Sequence, residues 1–464
     1  MSITDYKLQI NALELLKWLI IAILAVLIVF LPSISYLNFC LIILALLIVS
    51  YRRPILMFGL AILLYPFNQN YWQVGWELNI PYADLIIIIV GIVWFWQQII
   101  YLWQEKKIQI SQQAKINLVC LLLLVLTGSL SLLNIWPEQL AESLKYFWRF
   151  GIFYFLLYYF LTQELLKKAN KLWAAVWCMS AVGLFLSIMG VLSLLWPEIR
   201  HVIPMATPLS WWGLFPFGAS HNLLAESLLA IFPLTWLLAY KYQEESFSRW
   251  LYLTVALMIG IILLTFSRAG WLTLALELLI LGIGYYQRKI RSVILQYWWI
   301  LIIALIPLFI YLLTFGQTDF VLSSNAARLS MTEKAWSMFL DHPLVGTGIG
   351  TWQAIASRDP YFIMEFGQPV EQHGYILKIL PEQGIIGLLV WCGILLYIIG
   401  TILIIYRSLN SKNPWRVVAL VALVIAVGQI FFQLFDTGYY SIKMWLPIGI
   451  AMALASQAKK YIKY

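Results

Sequence analysis

Runs of about 20 apolar residues recur along almost the whole chain, and they decide what it can fold into. An α-helix needs about that many to cross the hydrocarbon of a bilayer, where no water is present to pair with the backbone. The runs fall near 15–32, 36–50, 54–66, 84–104, 116–135, 146–162, 172–196, 222–240, 250–267, 270–286, 295–315, 385–406, 417–435 and 442–457. The second, third and last are short, so 12–14 spans are expected from this pattern. Composition agrees. Of 464 residues, 62% are apolar and only 11% are charged, against about 25% charged in an ordinary soluble domain. A soluble fold could not hide that much apolar surface from water. The expected fold is therefore all-α, a polytopic transmembrane helix bundle; a soluble enzyme, a disordered chain and a fibrous repeat are excluded.

Lys and Arg set the orientation, because cytoplasmic loops of membrane proteins carry an excess of them. With the first residue in the cytoplasm and alternating spans, 21 of the 30 basic residues, from Lys7 to Lys463, fall on the cytoplasmic side. Both termini are then cytoplasmic. The net charge of +9 is a topological signal and calls for no nucleic-acid partner. On the outer side acidic residues outnumber basic ones, so each external Arg needs its own reason. No small-residue cleavage site follows the first apolar run, which is expected to stay as an anchor.

The cytoplasmic loops are too short for a nucleotide-binding fold, and no phosphate-binding G-x-x-x-x-G-K-[ST] loop occurs. Cys40, Cys120, Cys178 and Cys392 lie within apolar runs and suit no disulfide framework. The four histidines form no HxxxH pair. No metal and no cofactor are expected. The one long segment outside the spans is 316–384, and function is expected there and at the span ends beneath it. The chain thus divides into a bundle over 1–315, an external loop over 316–384, and C-terminal spans with a cytoplasmic tail over 385–464.

Within that loop, Ser323, Ser324 and Asn325 offer a helix cap. Leu329, Thr332, Ala335, Trp336, Phe339 and Leu340 follow at helical spacing, and Pro343 ends the helix. The pattern predicts an amphipathic helix lying in the membrane interface, with Arg328 in its first turn. The alternating glycines of Gly346-Thr347-Gly348-Ile349-Gly350 form either a tight turn or a backbone cradle for an anion. A polar, aromatic flap runs on to Pro369. His373 then sits just before the span that starts near Ile385, at the height where a lipid-linked head group would lie. Histidine trades protons near neutral pH.

Arg268 lies between two apolar runs, where Ala269 and Gly270 permit a turn. It is either a snorkelling anchor or a phosphate ligand, since guanidinium binds phosphate as a fork. Glu138, Glu142, Lys145 and Arg149 share one helix face, either as an ion-paired solvated stripe or with Arg149, the deepest, acting on substrate. Glu226 and Glu277 fall inside spans, where acids are functional candidates, though the sequence names no partner for either.

These segments resemble the O-antigen ligase and O-antigen polymerase superfamily. Its ligases carry a His, then Asn, Ser or Gln, nine residues, and Gly-x-x-Gly followed by Leu or Thr. Here His373, the nine residues Tyr375 to Gln383, Gly384, Gly387 and Leu388 match, with Gly374 in place of the amide or hydroxyl. Ser267-Arg268-Ala269-Gly270-Trp271 is similar to its Ser-Arg-Gly/Ala segment. Arg328, Trp336 and His342 to Gly348 are similar to its Arg…Trp…Pro-x-x-Gly-x-Gly segment, and Ser220 to Ala225 to its Asn-rich span start. The resemblance covers roughly 140–440.

It implies a metal-independent glycosyltransferase of the bacterial inner membrane. The donor would be a glycan on a polyprenyl diphosphate, the acceptor a lipid or glycan hydroxyl. His373 would act as the base, and Arg268 and Arg328, with Arg149 a weaker third, would clamp the diphosphate. Glu371 or Glu382 could replace His373 as the base. The rival reading is a transporter of a small, bicarbonate-like anion. Transporters place charges near mid-membrane in broken helices, often within inverted repeats; no such repeat is visible, and the notable charges cluster at the outer edge.

Overall fold

The computed structural model describes residues 12–29, 33–34, 36–67, 71–74, 78–105, 112–195, 205–209, 216–285, 319–366, 372–436 and 441–462. The span expected near 295–315, and Glu371, lie outside the described residues. Every other expected span is a helix. In chain order these are α1 (Ala12–Val29), α2 (Tyr36–Arg52), α3 (Pro54–Leu63), α4 (Tyr82–Glu105) and α5 (Gln112–Ser131). Next come α6 (Leu140–Tyr146), a π-wound segment Phe147–Phe160, α7 (Leu161–Leu165), α8 (Ala169–Leu195), α9 (His221–Lys241) and α10 (Ser248–Leu264). α11 (Arg268–Tyr285) follows. The loop segment forms α12 (Asp319–Asp341), α13 (Trp352–Ala356) and α14 (Pro360–Phe366), and the chain finishes with α15 (Tyr375–Ser408), α16 (Trp415–Phe432) and α17 (Ile442–Lys459).

Seven of the described helices, α4, α5, α8, α9, α11, α15 and α16, are long and apolar enough to cross a membrane. The chain is a multi-pass membrane protein built as an all-α bundle. Among the described residues it also carries a small sheet: β1 (Ser33–Ile34) pairs in parallel with β2 (Tyr71–Val74), which pairs antiparallel with β3 (Leu78–Pro81). It joins two loops at one end of the bundle and leaves the layering unchanged.

Burial separates central helices from peripheral ones. In α9 and α16, 83% and 78% of the spanning residues are buried, against 39% in α4 and 33% in α5. The outer helices present Phe95, Trp96, Leu122 and Leu126 outward, as a lipid-facing wall requires. Polar residues inside the bundle pair across helices, as hydrocarbon demands: Thr235 Oγ1 donates to Ser180 Oγ at 3.0 Å, and Asn117 Nδ2 to Gln163 Oε1 at 3.2 Å. The four cysteines are free thiols.

The loop segment builds a small core of its own, in which Met331, Ala335 and Met338 of α12 meet Trp352, Ala356 and Phe362. The expected apolar residues Leu329, Trp336 and Leu340 point outward, where an interfacial helix meets lipid, while Ala335 is buried in an inward stripe, Ala327-Met331-Ala335-Met338, that the pattern did not name. Steps of four, four and three residues keep one helix face and bring two flexible methionines into the core with Trp352, and leave the larger apolar side chains free to meet lipid. The cap is also displaced. α12 begins at Asp319, so Ser323 to Asn325 lie inside the helix, where Ser and Asn each cost only a few tenths of a kcal/mol.

Candidate functional site

The approach to Arg268 is a tight break between α10 and α11. Phe266 takes a left-handed φ of 52°. Ser267 is buried, and its Oγ accepts the Gly270 N–H at 3.1 Å, so Ser267 caps α11 and Arg268 falls in its first turn. The turn therefore lies at 265–267, and Ala269 and Gly270 are already helical. Gly270 instead gives close packing: a Cβ there would stand 3.0 Å from the Ala225 Cβ of α9. A cation in the first turn of a helix opposes the helix dipole. Its position is not one that helix stability selects.

Arg328 comes to the same place from α12. It is partly buried, and both that burial and the neighbouring Arg268 charge push its pKa below the ordinary guanidinium value. Asp436, in the turn after α16, pulls it the other way. Two guanidiniums sixty residues apart in sequence thus come within electrostatic range of each other, as does a carboxylate. Such a pair is what a multiply charged anion would bridge.

His373 is partly exposed and stands directly before α15. Gly374 explains its placement. The residue has φ 94° and ψ 131°, and a Cβ on it would lie 2.5 Å from the Leu434 carbonyl oxygen. The Tyr375 N–H then donates to the Gln433 carbonyl at 3.0 Å. The motif position at which the resembling ligases carry an amide or hydroxyl must be glycine here, because backbone occupies the space. His373 is thereby held against the 433–436 turn that carries Asp436. Gly374→Ala is expected to destabilise the protein by about 1–3 kcal/mol, read as a lower thermal midpoint in detergent. An unchanged midpoint would show that the turn re-forms around a side chain.

Asp436 was not singled out by sequence reasoning, nor were the roles of Gln429 and Gln433. The signal that could have found them is two glutamines at i and i+4 in the last turns of an apolar span, followed by a lone acid. Glu226, left without a partner by the sequence, has them in the structure. Its Oε1 accepts from Gln433 Nε2, its main-chain carbonyl from Gln429 Nε2 at 3.3 Å, and it lies within electrostatic range of Lys443 and Asp436. Glu277 is fully buried against Gly428, and neither of its oxygens finds a hydrogen-bond donor.

The glycine-rich loop is a structural clamp and not an anion cradle. α15 breaks at Gly384, whose φ is 64° and ψ −168°. The Thr347 N–H donates to the Pro381 carbonyl at 2.9 Å, and the Gly348 N–H to the Glu382 carbonyl at 3.0 Å. The loop's N–H groups are thus spent on the carbonyls that the break frees. Gly384 admits the backbone of Leu344, whereas the nearest atoms to a Cβ at Gly387 belong to Gln383 of its own helix. Glu382 is fully buried, accepts the Trp352 N–H at 3.1 Å and pairs with Lys378 at 3.8 Å. It is committed to joining the loop core to α15 and has no exposure from which to meet a substrate.

Arg149 has a different set of partners. It is exposed in the π-wound segment, and its Nε donates to Tyr154 Oη at 3.0 Å. Tyr154 and Tyr158 in turn donate to Asp84, at 3.4 and 2.8 Å. Of the rest of its stripe, Lys145 pairs with Glu142 at 3.2 Å and Glu138 with Arg358 at 3.9 Å, all well exposed, the solvated arrangement. Among the described residues no cluster of His, Cys, Asp and Glu could hold a metal.

The structure therefore brings together Arg268, Arg328, Asp436 and the turn that seats His373, at one end of α11, α15 and α16. No curated protein matches the chain. A family model described as O-antigen ligase matches residues 253–392, which include Arg268, Arg328, His373 and the Gly384–Leu388 motif. By that stretch the chain is similar to the O-antigen ligase family.

Proposed function

We propose that this protein transfers a glycan from a polyprenyl-diphosphate carrier to an acceptor hydroxyl at the outer face of the bacterial plasma membrane. The observation that supports it best is the Arg268–Arg328 pair, two like charges held together beside Asp436 and the His373 turn. The acceptor oxygen attacks the anomeric carbon; that C–O bond forms as the bond to the diphosphate oxygen breaks. His373 takes the hydroxyl proton, and the electron pair leaves with the diphosphate. The two guanidiniums stabilise the charge that grows on the leaving group, where preorganised cations act most strongly. Arg149, tied to Asp84 through Tyr154, would serve on the donor's approach.

The test is direct. Purified protein in bilayer nanodiscs, given lipid-linked glycan and acceptor, is expected to release polyprenyl diphosphate as the acceptor gains sugar. No release with either a lipid or a glycan acceptor would overturn the proposal.

It also requires the site to face outward. Ser357, in the loop core, and Ser411, between α15 and α16, are both exposed and lie at opposite ends of α15. In a cysteine-free background, Ser357→Cys is expected to react with an impermeant maleimide in intact cells and Ser411→Cys only after lysis. The reverse pattern would invert the topology and remove the site from the lipid-linked donor.

A further inference from the structure

Glu226, an acid of the central bundle, is hydrogen-bonded to the His373 turn through Gln433. It sits on α9, fully buried, about one turn and a half from the helix start at His221. Its Oε1 accepts the side-chain N–H of Gln433, which is itself fully buried. The main-chain carbonyl of that same Gln433 accepts the Tyr375 N–H at 3.0 Å. One residue on, the Leu434 carbonyl closes over Gly374. A second bond, from Gln429 Nε2 to the Glu226 carbonyl at 3.3 Å, fixes α9 to α16 one turn deeper. Lys443, buried at the start of α17, and Asp436 lie within electrostatic range of the carboxylate.

From this chain of contacts we infer that Glu226 is a positioning residue for His373, acting through the Gln433 side chain and main chain. The inference rests on the glycosyl-transfer reading above. The physical reason is economy of anchoring. The two residues after His373, Gly374 and Tyr375, are both seated on the end of α16. The placement of His373 depends on the carbonyls of residues 433 and 434, which end α16 and have left the helix ladder. Locking the Gln433 side chain locks those carbonyls. A carboxylate does this better than a neutral group, because charge-assisted hydrogen bonds are shorter and stronger.

Two variants test it in nanodisc-held full-length protein, with two independent readouts. Glu226→Ala is expected to lower kcat about 10²-fold, the scale of a misplaced catalytic group, while donor KM changes less than threefold. Glu226→Gln keeps an oxygen that can accept from Gln433, and is expected to recover transfer to within about tenfold of wild type. Independently of activity, hydrogen–deuterium exchange at the Tyr375 amide should quicken about fivefold in Glu226→Ala, the scale of one lost hydrogen bond, and stay near wild type in Glu226→Gln. Unchanged exchange at Tyr375 in Glu226→Ala would overturn the inference, as would equal losses of kcat in the two variants. Should wild type show no glycosyl transfer, the function proposal fails by that result, while the exchange arm still decides whether Glu226 holds the turn.

Discussion

His373→Ala is expected to abolish glycosyl transfer, by about 10²–10⁴-fold, while expression and donor binding persist. That range is what a positioned general base contributes. The side chain is partly exposed, so its removal costs less packing than that of a core residue. His373→Gln separates two roles. Glutamine can still hydrogen-bond an acceptor hydroxyl but takes no proton at neutral pH, so it should fail almost as badly as alanine. Single-turnover assays with radiolabelled glycan would resolve this. Near-normal transfer by His373→Gln would mean that the histidine only orients the acceptor. Glu382 could not then inherit the base's role, being enclosed with Lys378 and the Trp352 amide. Asp436 and Glu371 would be next to examine.

The second large effect concerns the arginine pair. Arg268→Ala and Arg328→Ala are each expected to weaken donor binding by about 2–4 kcal/mol, roughly 30- to 1,000-fold, if the contact is a desolvated charge pair. Lysine should restore only part, since it lacks the planar fork. The structure adds a discriminating detail. Burial first, and then the Arg268 charge, disfavour the charged Arg328 in the donor-free protein, with Asp436 offsetting part of this. Arg328→Ala should therefore leave the thermal midpoint of the free protein unchanged or raised, while removing the upward shift that added donor gives to wild type. A drop in midpoint with undiminished donor affinity would assign Arg328 to fold stability instead.

The sequence made the fold legible because bilayer physics leaves few choices: an apolar run of the right length must become a helix. What it misplaced was local. Ala269 and Gly270 read as a turn because both are small, yet the capping hydroxyl of Ser267 starts α11 before them. The apolar residues read on α12 point outward as an interfacial helix would have them, but its second, inward stripe of methionines and alanines, which fills the small core, went unread. At the site, the motif positions His373, Arg268 and Arg328 could be read because each sits in a recognisable segment. Asp436 and Gln433 could not. Their importance comes from where α16 ends relative to Gly374, a relation between residues some sixty positions apart that no periodicity encodes. The glycine at 374 reads as a defect in a pattern and becomes intelligible only when the Leu434 carbonyl is seen in its place.

The break at Gly384 has a consequence for geometry that side-chain chemistry alone would not suggest. Nine residues, Tyr375 to Gln383, separate the clamped break from Gly374, and as helix they span ~14 Å at 1.5 Å per residue. The loop backbone of 344–348 grips the lower end of that segment and the 433–434 carbonyls grip the upper end. The segment is thus a strut of fixed length pinned at both ends, and residue count sets the altitude of His373 above the break. One inserted alanine between Ile379 and Gln383 would lengthen the strut by ~1.5 Å and turn its top by ~100°, so the two grips could no longer be satisfied together. Relatives that work on donors with deeper or shallower diphosphates would then be expected to differ in the number of residues in this strut, before they differ in the groups at its summit.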